Sequence, residues 1–395
     1  MAAVRTLILL GSSLTGLAVV RAAHRAGFLC VMLDTAPGPG AATRTADFRR
    51  IAREDVAALL ECVPELRGRA DVAIIADSDR WLRFIGKYRA PLAAQRWVVL
   101  HPSTESIDLC LGKSRFLAWC AQRQLSAPRC YDPETVAQAG TAIYPLIVRP
   151  EWTQHSVATG LPKALELRDP SQLRDWLARF AAAGVRPSIS ESLLRDGLRQ
   201  FSVGAARDAH GSVRTFLAEK VRPDATQCAG GTFVRPASQP GVEALATSAL
   251  DALDYFGIAE VEVLFDAAAG IGYLVEINAR PWLQYGLPFA CGVDLLGHAL
   301  GHARAAAARP TESHAWLHFS PDLYSCFSRS TGLVATGSLS VAQYLRSIIG
   351  SDVHAVWDWR DPGPLLAAAG RLVGGGARRL LALGRSKSRG SAPSD

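Results

Sequence analysis

Short apolar runs alternate with helical patterns along the first hundred residues. The first run, Leu7–Leu10, ends at Gly11, and a helical pattern then continues to about Ala26. The later apolar runs are Phe28–Leu33, Val72–Ala76 and Trp97–Leu100, and the later helical patterns are Asp55–Leu66 and Trp81–Lys87. Strands that alternate with helices in this way are typical of a parallel, doubly wound sheet. We therefore predict such a domain over residues 1–103.

From residue 104 onward the pattern favours antiparallel strands. The helical patterns are Thr104–Gln124, Pro170–Ala183 and Val242–Phe256. The strand patterns are Tyr144–Val148, Ser188–Leu194, Phe201–Ala206, Val213–Glu219, Ala259–Phe265 and Gly272–Ile277. Successive strands joined by short turns usually pair antiparallel. We therefore predict a mixed α+β domain over residues 104–305, a C-terminal extension over 306–370 and a tail over 371–395.

The formal net charge of +7 is concentrated at the C-terminal end of the chain. Residues 371–395 carry six basic side chains and one acidic side chain, a net of +5. The other 370 residues carry 37 basic and 35 acidic side chains, a net of only +2. The nearly neutral body therefore gives no reason to expect nucleic-acid binding, although the pI is about 9.1.

The tail itself alternates apolar runs with Arg residues. That pattern is compatible with weak contact with an anionic membrane or a protein partner. We favour the alternative of a flexible, solvated tail.

The cysteines indicate a reducing compartment. The chain has eight of them, with no CxxC pair and no zinc-ligand spacing to histidine. A chain this long does not need disulfides for stability, and no apolar run approaches the roughly 20 residues that cross a bilayer. We therefore expect free thiols and a cytoplasmic location.

The strongest candidate chemistry lies in the predicted hairpin that ends the α+β domain. Side chains two apart on a strand share a face, so Glu276 and Asn278 point the same way. If the hairpin pairs symmetrically about Ala269, Glu262 lies opposite Glu276. Two carboxylates and an amide oxygen suit a hard cation such as Mg²⁺ that also contacts phosphates. A register shifted by one residue would instead leave the carboxylates on opposite faces, merely solvated.

Two other motifs suggest phosphate contacts more weakly. Lys113 follows Gly112 as at the end of a P-loop, but Ile107 stands where the first P-loop glycine is required. Lys113 remains one of five lysines in the chain, near a predicted helix start, where it is either a phosphate contact or an ordinary surface residue. The turn Gly11–Gly16, with Asp34 located 23 residues after Gly11, weakly resembles a dinucleotide-binding turn, and a tight turn into a packed helix is the alternative.

The order of these features resembles the ATP-grasp superfamily. A doubly wound domain is followed by a lysine near a helix start, then by a strand ending in Arg149-Pro150 and another containing Glu191. The hairpin with Glu262 and the Glu276-x-Asn278-x-Arg280 sequence comes last and is the specific part of the resemblance. The likeness covers about residues 1–305 and is greatest to the carboxylate–amine ligase branch, which includes D-aspartate ligase-like and carbamoyl-phosphate-synthase-like proteins.

The resemblance implies ATP and Mg²⁺ (or Mn²⁺) as cofactors. Glu262, Glu276 and Asn278 match the metal ligands that bridge the ATP phosphates. Arg280 matches the residue that stabilises the charge of the phosphate or acyl phosphate. Lys220 matches a basic residue near the transferred phosphate, so both cations are expected to take part in catalysis.

The same resemblance places the nucleotide itself. Lys113 matches the first lysine that contacts the ATP phosphates, and Arg149 stands at the position of the second. The segment with Glu191, Leu193 and Leu194 matches the family's interdomain strand. The backbone groups of that strand hold adenine.

The chain departs from the family pattern at two places where the family contacts the ATP phosphates. Arg149 replaces the usual lysine, and a planar guanidinium fork is not equivalent to a compact ammonium group. The loop Glu151–Thr159 lacks the glycines that usually allow it to close over phosphate, and carries Trp152, Gln154 and His155 instead.

The resemblance implies an ATP-dependent ligase that joins a small-molecule carboxylate to an amine through an acyl phosphate, releasing ADP and phosphate. It also makes a homodimer plausible. Asp79, after a strand end, is either a substrate contact or a helix N-cap. Two other functions stay open: a degenerate ATP-binding regulatory protein, and a dinucleotide-dependent oxidoreductase that uses the Gly11–Gly16 turn.

Overall fold

Three β-sheets form the framework of the protein in a computed structural model. The described residues are 3–136, 142–152, 158–194, 197–223, 230–302, 314–329 and 331–370. The basic tail, 371–395, and the loop residues Gln154 and His155 lie outside them.

The first sheet is parallel, as the alternating pattern predicts, and has the strand order β3-β2-β1-β4-β5. Its strands are β1 Thr6–Leu10, β2 Leu29–Asp34, β3 Asp47–Arg50, β4 Val72–Ala76 and β5 Val98–Val99. Its helices are α1 Leu14–Arg25, α2 Val56–Cys62, α3 Asp79–Lys87 and α4 Arg89–Ala93. Alternate residues of β1 enter different cores: Ile8 packs on one face of the sheet and Leu9 on the other. Such two-sided burial explains why β1 is apolar throughout.

The other two sheets are built largely from antiparallel pairs. The four-stranded sheet has the order β6-β9-β7-β8, with β6 Cys130–Tyr131, β7 Leu146–Pro150, β8 Leu165–Leu167 and β9 Pro187–Glu191. The seven-stranded sheet begins β14-β13-β10-β11-β12, with β10 Leu198–Arg207, β11 Val213–Pro223, β12 Gly231–Pro236, β13 Gly257–Asp266 and β14 Ile271–Asn278. The helices of this part are α5 Thr104–Leu111, α6 Lys113–Gln122, α7 Pro170–Ala182, α8 Pro240–Ala252, α9 Gly286–Ala290 and α10 Leu295–Ala299.

The C-terminal segment completes the seven-stranded sheet. Strand β15, Trp316–Leu317, pairs with β12, and β16, Val353–His354, pairs with β15 in parallel. Two helices, α11 Phe319–Phe327 and α12 Val341–Ile349, lie between these strands in the chain. None of the helices in the described ranges combines the length and the hydropathy that a membrane span needs.

Two helical predictions are wrong in detail. The pattern Thr104–Gln124 forms two helices because Gly112 takes an extended conformation and ends α5 immediately before α6. The pattern Asp55–Leu66 forms a shorter helix that ends at Cys62, since Pro64 cannot supply the backbone N–H that would continue it.

A close approach joins the first sheet to the seven-stranded sheet. Gly257 begins β13 with φ of +105°, and a Cβ atom built there would lie 2.4 Å from the carbonyl oxygen of Leu100. Glycine is therefore required at this position for both its conformation and its lack of a side chain.

Candidate active site

The hairpin of β13 and β14 pairs in the register expected from the sequence. Glu262 lies opposite Glu276, and Glu260 lies opposite Asn278. A bulge follows Glu262, so that Val263 pairs with Leu274. The register therefore brings together the two carboxylates that the sequence pattern paired.

Lys220 reaches these carboxylates from β11. Its Nζ atom lies 3.0 Å from Glu262 and 3.6 Å from Glu260, and its side chain is only 3% exposed. Burial alone would lower the Lys220 pKa, but the attraction of Glu262 and Glu260 outweighs burial and raises the pKa overall. Burial raises the pKa of Glu262 to about 7, while the Lys220 ammonium acts in the opposite direction. Lys220 is thus a cation fixed by carboxylates.

Glu260 is a site residue that the sequence reasoning missed. Its carboxylate accepts a 2.5 Å hydrogen bond from Ser202 Oγ and a 3.0 Å bond from Asn278 Nδ2. Glu260 is buried, and it touches both the cation Lys220 and the candidate metal ligand Asn278. Its two-residue spacing from Glu262 was the available signal, because that spacing places both side chains on one face of β13.

Arg280 links the hairpin to α3. Its Nε atom donates a 2.7 Å hydrogen bond to Asp79, and an Nη atom donates to Asn278 Oδ1 at 3.2 Å. Ser78 occupies the N-cap position of α3 and Asp79 is the first helical residue, so the N-cap interpretation of Asp79 is wrong. Asp79 instead holds the guanidinium of a candidate catalytic residue.

His101 was also missed. It is fully buried after β5, where its Nε2 accepts the Ala76 N–H at 2.8 Å, and its Nδ1 therefore donates to the Ala279 carbonyl at 3.0 Å. The neutral ring ties the end of β4 to the backbone between Asn278 and Arg280. Burial lowers the pKa of His101 to about 3. The sequence offered no signal, since a single histidine does not reveal which backbone groups it bridges.

Lys113 and Arg149 complete the polar lining. Lys113 is the first residue of α6, and burial lowers its pKa. Arg149 Nη1 lies 3.8 Å from Glu276 Oε2. One cavity of about 440 Å³ is lined by seven of the charged or amide candidates: Lys113, Arg149, Lys220, Glu262, Glu276, Asn278 and Arg280.

A second, more apolar cavity adjoins the first. Glu191, Leu193 and Leu194 line it, at the end of β9. Arg149 and Glu262 line both cavities, so the apolar cavity opens beside the charged one. The Glu191 side chain accepts a hydrogen bond from the Arg129 backbone N–H at 3.0 Å.

Several solved structures share the fold of this chain. Pyruvate carboxylase from Rhizobium etli matches 79% of this chain with 16% identity and a TM-score of 0.57, although the chain spans only 30% of that protein. The biotin carboxylase domain of Hydrogenobacter thermophilus 2-oxoglutarate carboxylase, solved with MgADP, ADP and bicarbonate, matches 78% of this chain and 72% of its own, with 14% identity and a TM-score of 0.59. The L-amino acid ligase of Bacillus licheniformis matches 71% of this chain and 68% of its own, with 16% identity and a TM-score of 0.52.

The chain has the ATP-grasp fold. The expectation from the ordered motifs is therefore confirmed for the fold, and so is the predicted combination of a parallel sheet with antiparallel sheets. No protein-family model matches the sequence, and no curated protein matches it either. The ordered motifs thus identified a fold that overall sequence similarity did not.

The loop that departs from the ATP-grasp pattern is anchored at its start. Glu151 is buried and accepts the Ser114 N–H, at 3.1 and 3.3 Å to its two oxygens, at the N-terminus of α6. The guanidinium groups of Arg83 and Arg115 lie 4.4 and 5.5 Å from the centre of the Trp152 ring. Glu151 thus supplies a negative charge where a helix start favours one.

The contacts of the Gly11–Gly16 segment favour a tight turn into a packed helix over a dinucleotide-binding turn. The Ser12 amide donates to Asp34 and the Ser13 amide donates to Asp77, both at 2.9 Å. A Cβ atom on Gly11 would lie 1.8 Å from Asp77 Oδ1. Carboxylates of the protein therefore occupy the backbone donors that a cofactor phosphate would need.

The donor set fits a hard divalent cation beside phosphates. Glu262 and Glu276 face each other across the hairpin, and Asn278 adds an amide whose oxygen contacts Arg280 in this structure. Three or more His, Cys, Asp or Glu residues arranged as a metal site do not occur in the part of the chain that the structure describes. The predicted set has only two carboxylates and one amide, so it does not form such a group.

Proposed function

We propose that the protein is an ATP-dependent ligase that joins a carboxylate to an amine. The observation that carries this proposal is the opposition of Glu262 and Glu276 in one cavity with five basic side chains, those of Lys113, Arg149, Lys163, Lys220 and Arg280. Such a cavity fits a triphosphate with its divalent cation, because both signs of charge converge on the same space.

In the proposed complex, adenine occupies the apolar cavity and the phosphates extend into the charged one. Lys113 and Arg149 would contact the phosphates. Glu262, Glu276 and Asn278 would hold Mg²⁺, which would neutralise phosphate charge when bound. The shared boundary of the two cavities supports this placement, since one nucleotide must cross it.

The proposed reaction has two steps. A substrate carboxylate oxygen attacks the γ-phosphorus of ATP, forming an acyl phosphate as the bond to the β-phosphate oxygen breaks and ADP leaves. An amine nitrogen then attacks the acyl carbon, loses a proton, and expels inorganic phosphate. Lys220 and Arg280 would stabilise the negative charge that develops in these steps, and both are held rigidly by carboxylates.

Arg280 and Asp79 mark the substrate side of the cavity. Both line it, together with Thr15 of the first domain and Trp282 after β14. The Bacillus licheniformis neighbour is an L-amino acid ligase, which supports amino acids as the first carboxylates and amines to test.

The test is a screen of amino acids and amines for ADP release, with mass detection of the condensed product. We expect Glu276→Ala to lower turnover by about a hundredfold or more, because it removes a metal-binding carboxylate. Glu61→Ala, on the exposed surface of α2, is the matched control and should keep full activity. Full turnover by Glu276→Ala would contradict the assigned site.

A second candidate is an ATP-binding protein without ligase turnover. The observation that favours it is the anchored Glu151, whose carboxylate occupies the α6 N-terminus beside Lys113. This candidate predicts that ATP binds with magnesium while no acid–amine pair releases ADP. Stoichiometric ADP and product from any pair would exclude it.

A further inference from the structure

Helix α11 exposes apolar side chains where a helix on a protein surface usually carries polar ones. Four large apolar side chains, each at least 41% exposed, lie on its outer side: Phe319, Leu323, Tyr324 and Phe327. Its buried side carries Asp322, Ser325 and Cys326. The usual amphipathic arrangement is therefore inverted.

Helix α12 has the same property. Val341, Leu345 and Ile349 are 49%, 52% and 85% exposed. Their spacing of four residues places them along one stripe of the helix, while Tyr344 is buried on the other side. The seven exposed side chains of α11 and α12 are called the C-terminal apolar face below.

Buried contacts hold the two helices together. The Arg222 guanidinium of β11 donates to both carboxylate oxygens of Asp322 at 2.8 Å and to Ser347 Oγ at 2.9 Å. The rings of Phe327 and Tyr344 are 4.9 Å apart. The C-terminal apolar face is thus presented by a fixed pair of helices.

Exposed apolar side chains are concentrated in this region. Of fifteen large apolar residues exposed in the described ranges, eleven lie between Phe319 and Leu366. The other four are spread over the rest of the fold: Leu29, Ile143, Val221 and Ile271. Such a concentration marks a surface that is covered by something else.

The charges around the face identify what would cover it. From Phe319 to Gly350 the single acidic residue is Asp322, which is buried against Arg222. The exposed ions of this stretch are Arg329 and Arg346. The described chain ends at Gly370, and the 25 residues after it add a net charge of +5. Two copies related by a twofold axis would bring these positive charges together, whereas an anionic surface would neutralise them.

We propose that the C-terminal apolar face docks the protein on an anionic lipid bilayer, and that the net positive charge of residues 371–395 strengthens the attraction. The helices α11 and α12 lie along the interface, with their apolar side chains in the acyl boundary and Arg329 and Arg346 at the headgroups. Apolar insertion and a polybasic segment are the two signals that together give stable peripheral attachment.

The test is flotation of the full-length protein with vesicles of phosphatidylcholine, with and without phosphatidylglycerol. We expect binding only to the vesicles that contain phosphatidylglycerol, and weaker binding at high salt. Leu345→Glu combined with Ile349→Glu should lower binding by at least about tenfold, because it removes two inserted apolar side chains. Thermal unfolding should not change, since both side chains are exposed. Leu29→Glu, exposed on the first domain, is the control and should bind like the wild type.

Deletion of residues 371–395 gives a second readout. Each basic residue near an anionic surface strengthens binding by about fivefold, so the truncated chain should bind weakly and with little salt dependence. Absence of binding to anionic vesicles, or unchanged binding by the double variant, would overturn the proposal. Light scattering that shows a dimer, converted to monomer by the double variant, would assign the face to a second copy and also overturn it.

Discussion

His101 should make the stability of the protein depend on pH. Its ring is fully buried, and its neutral form bridges Ala76 and Ala279. Burial lowers its pKa in the folded protein to about 3, whereas an unfolded histidine titrates near 6.5. The unfolded chain therefore binds a proton that the folded chain rejects, and stability falls as pH drops below about 6.5 toward 3.

The size of this effect follows from linkage. Each pH unit between the two pKa values costs about 1.4 kcal/mol, so a change from pH 7 to pH 5 should cost about 2 kcal/mol from His101 alone. His101→Gln provides the reference, because a Gln amide can donate to one carbonyl and accept from one N–H without titrating in this range.

The assay is urea unfolding of the wild type and His101→Gln at pH 7 and pH 5. The free energy of unfolding should fall by about 2 kcal/mol more in the wild type than in the variant over this interval. Equal losses in the two proteins would refute the assignment of His101 as a buried neutral bridge.

Three further predictions concern the framework and the site. Gly257→Ala should lower the free energy of unfolding by at least about 2 kcal/mol more than Gly270→Ala does, because a Cβ atom meets backbone at Gly257 and has open space at Gly270. Equal unfolding midpoints of the two variants would contradict this. Arg222→Met should lower the free energy of unfolding by about 3–5 kcal/mol, because it leaves the Asp322 carboxylate buried without its ion-pair partner. Adding Asp322→Leu should recover part of this loss. Urea unfolding measures both variants, and additive losses would show that the two residues are not coupled. Glu260→Gln should weaken magnesium binding, measured by titration of ADP release, by about tenfold, because Gln has no charge and only one acceptor oxygen in place of the two that face Asn278 and Lys220. Unchanged magnesium dependence would show that Glu260 does not position these residues.

Much of the framework could be predicted from local pattern. Strands buried on both faces, such as Val72–Ala76, stand out as apolar runs with the observed bounds. Strand β3, Asp47–Arg50, was missed because an edge strand exposed to water can be polar, and its residues read Asp-Phe-Arg-Arg. The split of α5 from α6 at Gly112 depends on a conformation that the helical periodicity does not report.

Some residues of the candidate site could also be placed from the sequence, and others could not. The opposition of Glu262 and Glu276 followed from strand geometry alone, because the hairpin fixes which residues face each other. Glu260 could have been placed on the face of Glu262 by its two-residue spacing, whereas His101 could not, since its partners Ala76 and Ala279 are distant in sequence. The local sequence pattern thus predicted the opposed carboxylates, and the tertiary contacts revealed the residues that hold the site in place.

The central claim is that a carboxylate is activated by direct attack on the γ-phosphate of ATP. The most direct measurement uses an acid–amine pair found by the screen, with the carboxylate labelled with oxygen-18. We predict that one labelled oxygen per turnover appears in the released phosphate and that Glu276→Ala abolishes the transfer. Labelled oxygen retained entirely in the condensed product or unreacted acid, with ADP still released, would contradict the account.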